Sequence, residues 1–148
     1  KKVIINREFS IPLDTQLGYI YGKLNHGNKF GQNFKITFKN RVTKDTSFLK
    51  ISLYSSDGAT KDFFIDIDPG EWLMHQVLPD SGAPIDIQQL EKDEHREFFV
   101  EKGKLAYVGS WTFTEGKFDV VDKKDSQDAY MKSNFKYVPT SGAMPSLP

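Results

Sequence analysis

The sequence predicts an all-β fold, an antiparallel β-sandwich of about seven to nine strands with one short helix near the C-terminus. Apolar and polar side chains alternate at a spacing of two in many short segments, as in strands with one buried face. Turn signals separate these segments closely, and no helical crossovers lie between them. Aromatic residues make up 14% of the chain, so bulky rings can fill a core although only 38% of residues are hydrophobic.

The strand segments follow one another through most of the chain. In the clearest of them, Phe34, Ile36 and Phe38 fall on one face and polar residues fall on the other. Such alternation predicts a strand that buries one face and exposes the other. The predicted strands are Leu17 to Leu24, Asn33 to Lys39, Ser47 to Tyr54, Lys61 to Ile67 and Glu71 to Leu78, with Val3 to Ile11 and Lys117 to Val121 as edge or terminal strands.

A first hairpin is predicted where Ser56-Asp57-Gly58 separates two of these strands. An Asp-Gly pair between alternating segments favours a tight turn, because glycine adopts positive φ at little cost. The pair would join Ser47 to Tyr54 with Lys61 to Ile67 in one sheet.

A second hairpin is predicted in the stretch Phe98 to Phe113, around the turn Lys102-Gly103-Lys104. Large side chains after this turn occur at positions of a single parity, which predicts one shared, buried face. These residues are Leu105, Tyr107, Trp111 and Phe113. The stretch contains no nucleophile or metal ligand pair, so it indicates the fold class and not a reaction.

The remaining segments are predicted to form a turn, a long connection and a helix within one domain. Asp68-Pro69-Gly70 predicts a turn, and Pro79 to Arg96 predicts a long connection of the kind that is often functional. Lys124 to Phe135 predicts the short helix, since Asp125 can cap it and helix-favouring residues follow. We expect one domain over residues 1–139 and an irregular tail over residues 140–148.

Charge and cysteine content exclude several classes of function. The chain has 20 Lys+Arg and 20 Asp+Glu, so it exerts no long-range attraction on nucleic acid, and none is expected as a partner. It has no cysteine, which excludes disulfides, a thiol nucleophile and thiolate metal sites. No apolar run approaches the roughly 18 residues of a membrane span. The compartment stays open at this point.

Histidines and carboxylates give only weak signals for a metal or an acid–base pair. His26, His75 and His95 are scattered and form no ligand spacing. Asp66 and Asp68 lie two apart at a strand end, where they could bind calcium or act as an acid/base pair with nearby Glu71. A solvated strand end before a Pro-Gly turn is the favoured interpretation. We therefore expect no metal and no cofactor, and keep both aspartates as weak binding candidates.

Nucleophilic catalysis is also not indicated. The nearest approach to a nucleophile motif is Gly109-Ser110-Trp111, but strand patterns flank it on both sides where a strand-to-helix turn is required. No glycine-rich phosphate loop occurs. The chain is therefore predicted not to be an enzyme, with a small carboxylate-based enzyme as one alternative.

Aromatic side chains supply the remaining candidates. Trp72, Trp111 and Tyr107, with Tyr19 and Tyr21, could form a stacking platform for sugars. Aromatics at a spacing of two more often form core, because exposed apolar patches are uncommon in monomers. We favour the core interpretation and keep the first three as weak binding candidates for a carbohydrate-binding module, which is the second alternative.

Three sequence motifs are distinctive: Gly18 to Leu24 (GYIYGKL), Ile67 to Trp72 (IDPGEW) and Phe98 to Gly109 (FFVEKGKLAYVG). They resemble the β-sandwich domains of Gram-negative envelope lipoproteins, a largely uncharacterised group related in shape to transthyretin-like (prealbumin-like) modules. In that group a short helix, which Asp125 to Tyr130 matches, often follows the third motif. The resemblance extends from Gly18 to about Pro139, and its motifs are structural, since glycines make turns and aromatics fill the core.

The resemblance implies a prealbumin-like or immunoglobulin-like sandwich and a place in the cell envelope, periplasmic or on the outer membrane or surface. It implies no catalytic residue and no cofactor. A lipid-bearing cysteine is not in this chain, so any membrane attachment would come from an N-terminal lipid anchor before Lys1. We expect a non-enzymatic binding or structural role through loops, with Asn25 to Gln32 and Pro79 to Arg96 as the candidate binding loops and an unknown protein or glycan as partner.

Overall fold

The computed structural model describes residues 16–25, 33–52, 60–79, 83–87, 96–114, 117–134 and 144–148, which contain ten strands and one helix. Two of the strands are only two residues long. The elements are β1 (Gly18–Asn25), β2 (Asn33–Asn40), β3 (Thr46–Ser52), β4 (Thr60–Ile67), β5 (Gly70–Pro79), β6 (Ile85–Asp86), β7 (Glu97–Val100), β8 (Leu105–Thr114), β9 (Lys117–Val121), α1 (Lys124–Asn134) and β10 (Met144–Pro145).

The strands form two five-stranded sheets, which confirms the predicted β-sandwich with one helix near the C-terminus. In the first sheet the order is β10-β8-β1-β4, and β9 also pairs with β8. The short β10 pairs with the first part of β8, and β9 pairs with its last part. The β1–β8 and β10–β8 pairs are parallel, whereas the prediction was an antiparallel arrangement throughout.

The second sheet has the order β3-β2-β5-β6, and β7 also pairs with β5. Here every pair is antiparallel. One strand edge is again divided, because β7 pairs with the start of β5 and β6 pairs with its later part. Each sheet is therefore four strands wide, with two short strands sharing one edge.

The first predicted hairpin, across Ser56-Asp57-Gly58, is wrong. β3 pairs with β2 in the second sheet, and β4 pairs with β1 in the first. The true hairpin joins β2 to β3, and its turn is closed by the Asn40 side-chain oxygen, which accepts the backbone N–H groups of Val42 and Thr43 at 2.9 and 3.0 Å. Residues 53–59, which contain the predicted turn, lie outside the described residues.

The second predicted hairpin is wrong for a related reason. β7 pairs with β5, while β8 pairs with β1 in the other sheet. A turn signal reports a local reversal and does not specify that the chain stays in one sheet. Gly103, at φ 74°, donates its N–H to the Leu17 carbonyl at 2.7 Å, so the turn is held by the chain entering β1 and not by a β7–β8 ladder.

The main core lies between the two sheets. Trp111 is at its centre, with ring centroids 4.8 Å from Phe63 and 6.0 Å from Phe38. The other buried residues of this cluster are Ile20, Leu24, Ile36, Ile65, Ile67, Trp72, Met74, Val77, Ile87, Phe98, Val100, Ala106, Val108 and Phe118.

A second core lies on the outer face of the first sheet, where α1 contributes Met131. Its other buried members are Tyr19, Tyr21, Phe64, Leu105 and Tyr107. Most residues of β1 are buried, on both faces of the strand, because one face meets the second sheet and the other contributes to this helix-side cluster.

A β-bulge corrects the predicted parity of β8. The register passes from Tyr21↔Tyr107 to Lys23↔Ser110, so two residues of β8 lie opposite Gly22. Gly109 in this bulge has φ 104°, a conformation that favours glycine. Tyr107 therefore faces the helix-side cluster and Trp111 faces the main core, whereas the sequence pattern placed them on one face.

Two of the predictions concern the ends of the chain. The predicted strand Val3 to Ile11 lies outside the described residues. The tail predicted to be irregular contains β10, which pairs through Met144↔Ala106 and Pro145↔Tyr107. Among the described residues, no helix combines the length and apolar character needed to cross a bilayer.

Candidate functional site

The three aromatic candidates from the sequence are buried. Trp72, Trp111 and Tyr107 expose 2%, 0% and 0% of their surface. Both indole N–H groups are satisfied inside the protein, that of Trp72 by the Asp68 carbonyl at 2.9 Å and that of Trp111 by the Val108 carbonyl at 2.7 Å. These rings are core, as the favoured interpretation held, and they offer no exposed face on which a sugar could stack.

The carboxylate candidates do not form one site. Asp66 is buried and lies on β4 between two residues of the main core, whereas Asp68 is exposed after the end of β4 and Glu71 is exposed near the start of β5. Within the described part of the chain, no group of three or more His, Cys, Asp or Glu is placed to hold a metal ion. Of the three histidines, only His75 lies in this part.

A polar cluster connects α1 to the first sheet. The buried Tyr21 hydroxyl donates to Asp128 Oδ1 at 2.6 Å, and Lys124 Nζ donates to Asp128 Oδ2 at 2.6 Å. The Tyr107 hydroxyl accepts the Lys123 backbone N–H at 2.8 Å. The two tyrosine rings lie 5.4 Å apart, so one pair of side chains in the sheet anchors the first turn of the helix.

Burial decides the chemistry of this cluster. Desolvation, with a further contribution from the hydrogen bond to Asp128, raises the pKa of Tyr21 well above its usual range. Burial also raises the pKa of Tyr107, and the Lys123 N–H offsets only part of this shift. Both phenols therefore stay protonated at neutral pH and act as structural hydrogen-bonding groups, not as general bases.

These shifts predict a loss of stability at alkaline pH. A phenol that ionises at pH 10 when unfolded and only at higher pH when folded favours unfolding above pH 10. The full contribution of both tyrosines to stability is thus present below pH 10. Above pH 10 the free energy of unfolding should fall by up to about 1.4 kcal/mol per pH unit through Tyr21, with a further decline in the same direction through Tyr107. Urea unfolding at pH 9, 10 and 11 should show a shallower decline in Tyr21→Phe. Equal slopes in the two proteins would contradict the assignment.

An exposed aromatic ring marks a different part of the surface. Phe99 on β7 is 50% exposed, and the other exposed large hydrophobic residues of the described part are Val42 and Val121. Two depressions of about 270 and 210 Å³ flank it, and both are lined by Phe99 and Ser146. We call Phe99, the two depressions and their rims the Phe99 surface. The rims comprise Glu71, Glu97 and Leu147 on one side and Glu101, Lys104, Leu105, Ala106 and Pro145 on the other.

The rim of the Phe99 surface is charged. Glu71 lies directly opposite Phe99 in the β5–β7 ladder. Glu97 is paired with Arg41 at 2.5 Å, and Glu101 is paired with Lys104 at 3.2 Å. An exposed apolar ring inside a polar rim is the usual arrangement of a protein-binding hot spot.

Phe99 is not among the residues that the sequence pattern singles out, because the predicted hairpin over Phe98 to Phe113 draws its buried face from the large residues after the turn. The signal was present in the alternation. Phe98 and Val100 are buried at 3% and 1%, which leaves Phe99 on the opposite, outer face of β7. The loops predicted to bind a partner, Asn25 to Gln32 and Pro79 to Arg96, lie mostly outside the described residues.

Comparisons with known proteins add little to this picture. No protein-family model matches the chain. No curated protein matches it in sequence. A solved structure of a leucine-rich repeat protein from Bacteroides thetaiotaomicron is similar with a TM-score of 0.39 and 13% identity, over 80% of this chain. The chain spans only 16% of the length of that protein.

Proposed function

We propose that this chain is a non-enzymatic binding domain of the cell envelope, which contacts a protein partner through the Phe99 surface. The observation that supports binding is the half-exposed ring of Phe99 between two depressions, on a sandwich whose other described phenylalanine, tyrosine and tryptophan side chains are buried or partly buried. Aromatic residues are enriched at binding hot spots and depleted from ordinary exposed surface.

The chemistry of the surface favours a protein over a glycan. The three candidate rings for sugar stacking, Trp72, Trp111 and Tyr107, are in the two cores. The Phe99 surface offers one ring, ion pairs and the edges of β7 and β8. An apolar anchor, charged rim groups and backbone edges suit a polypeptide segment.

Photo-crosslinking tests this proposal. A photoreactive phenylalanine analogue at position 99, in cells that produce the protein, should give one discrete protein adduct that mass spectrometry can identify. Val121 is the matched control, because it is 47% exposed and lines neither depression. Equal adducts at both positions, or none at position 99, would contradict the proposal.

The envelope location rests on the resemblance of Gly18 to Leu24, Ile67 to Trp72 and Phe98 to Gly109 to envelope lipoprotein domains. The full-length gene product and its fractionation test it. A hydrophobic leader that ends at a small residue and a cysteine, with the protein in the membrane fraction, is the expected result. A gene product that starts without a leader and fractionates with cytosolic markers would remove the location and leave the binding surface to be tested separately.

A further inference from the structure

The C-terminal segment sits in a slot that is built from the edges of both sheets. Its short strand β10 pairs in parallel with β8, and Ser146 donates its N–H to the Tyr107 carbonyl at 2.8 Å. The Ser146 hydroxyl accepts the Phe99 N–H at 2.7 Å. We call this space between Phe99 on β7 and Ala106 and Tyr107 on β8 the strand slot.

The β7 side of the slot is a sheet edge with backbone groups directed outward. Met74 N donates to the Arg96 carbonyl at 2.8 Å, which fixes the phase of the β5–β7 ladder. In an antiparallel pair the hydrogen-bonded positions alternate, so Phe98 and Val100 bond to β5, while the N–H and C=O groups of Glu97 and Phe99 point away from it. Such an edge can pair with an additional extended segment. Here the Ser146 hydroxyl accepts the Phe99 N–H in place of the backbone carbonyl that a neighbouring strand would supply.

The tail holds the slot with few contacts and leaves it partly filled. Among the described residues, two pairs join β10 to β8, and Pro145 has no N–H to donate. Leu147 is partly buried against the helix-side cluster that contains Leu105 and Tyr107. The depressions of about 270 and 210 Å³ lie on either side of Ser146, so the slot is wider than the segment that occupies it.

From these contacts we infer that the strand slot is the binding site for an extended segment of the protein partner, and that the chain's own residues Met144–Leu147 occupy it as a competitor. The bound contacts define the chemistry of the partner segment. It carries a serine or threonine, whose N–H reaches the Tyr107 carbonyl and whose hydroxyl accepts from Phe99 N–H, followed by a leucine-sized aliphatic residue. This inference rests on the proposed function and adds the partner's chemistry and its regulation by the tail.

A tethered competitor should suppress binding strongly. A short linker gives an attached segment an effective concentration in the millimolar range, so a free peptide must compete against the tail. Weakening the tail should therefore increase the affinity of the slot for a peptide added in solution. Leu147→Asp in the full chain weakens it, because a carboxylate packs unfavourably against the apolar helix-side cluster.

The test measures fluorescence anisotropy of a labelled peptide with the sequence of Gly142 to Pro148. We expect it to bind the Leu147→Asp chain at least tenfold more tightly than the wild-type chain. A control peptide with aspartate in place of its leucine should not bind. Ser146→Pro is the second variant, since it removes both the N–H and the hydroxyl that the slot uses, and it should behave like the first.

Three results would overturn the inference. They are equal peptide affinity in wild-type and folded variant chains, equal binding of the control peptide, and loss of folding in both variants, which would make the tail a fixed part of the core. Far-ultraviolet circular dichroism reports folding. An adduct at position 99 without peptide binding would retain the proposed function and reject only this partner chemistry, so the two failures are distinguishable.

Discussion

Trp111→Ala is expected to lower the free energy of unfolding by about 3–5 kcal/mol, a large part of the stability of a domain this size. The side chain is fully buried and contacts rings from both sheets and from β9, so its removal leaves a cavity that neighbouring strands cannot close. The Val108 carbonyl also loses its indole donor.

Urea unfolding measures this effect, and Trp72 remains as a fluorescent reporter because the chain has two tryptophans. The control is Val42→Ala, at a side chain that is 74% exposed, and its effect should stay within about 0.5 kcal/mol. If Trp111→Ala cost no more than the control, the ring would not be at the centre of the core, and the sandwich described above would be incorrect.

Gly22→Ala is expected to destabilise the protein by about 2–3 kcal/mol, the cost of forcing an extra methyl group into packed structure. A Cβ atom at this position would meet the Gly109 carbonyl oxygen and would lie 2.9 Å from Phe63. The oxygen belongs to the backbone of the β8 bulge, so it cannot move as the end of a flexible side chain could. The sign of the change in the free energy of unfolding is informative, because a glycine-to-alanine change without a clash stabilises a protein by about 0.4–1 kcal/mol.

The matched control for this substitution is Lys23→Ala, the next residue on β1. Lys23 forms a 3.8 Å ion pair with Asp62 and its side chain is 44% exposed, so the loss should be below about 1 kcal/mol. Chemical denaturation of both variants under one set of conditions gives the comparison. A stabilised Gly22→Ala protein would show that the β1–β8 contact is looser than described.

The elements of this fold are predictable from the sequence because alternation and helix propensity are local. β2 begins at the predicted Asn33, β9 matches Lys117–Val121, and α1 begins at the predicted Lys124. β2 and β9 carry their signal in side-chain spacing, and α1 carries it in helix-favouring residues. The predicted cap was wrong, because Asp125 lies inside the first turn of α1 and the Asp122 carboxylate accepts the Lys124 N–H at 2.9 Å.

Strand pairing is harder to predict from the sequence, because it depends on which distant segments share a core. The chain passes into the other sheet after β3 and again after β7, and no glycine or lysine in those connections specifies this. The bulge at Gly109 then changes the face on which Trp111 lies, so Trp111 and Tyr107 belong to different cores. A single inserted residue is enough to make the alternation predict the wrong face for the side chains that follow it.

The candidate site was missed for a physical reason of the same kind. Large aromatic residues attract attention in a sequence, but Trp72 and Trp111 are buried because they provide the most core volume. The surface that remains depends on Phe99, a residue that looks identical to its buried neighbour Phe98 until the face of each is known. The tail residue Ser146 could be placed there only by the tertiary structure.

The central claim, that Phe99 anchors a protein partner, is tested most directly by the affinity of the partner identified through cross-linking. The measurement compares the Kd of that partner for the wild-type chain and for Phe99→Ser, with thermal unfolding to confirm that both are folded. We predict at least a tenfold weaker Kd for the variant, equivalent to about 1.4 kcal/mol. An unchanged Kd would contradict the account.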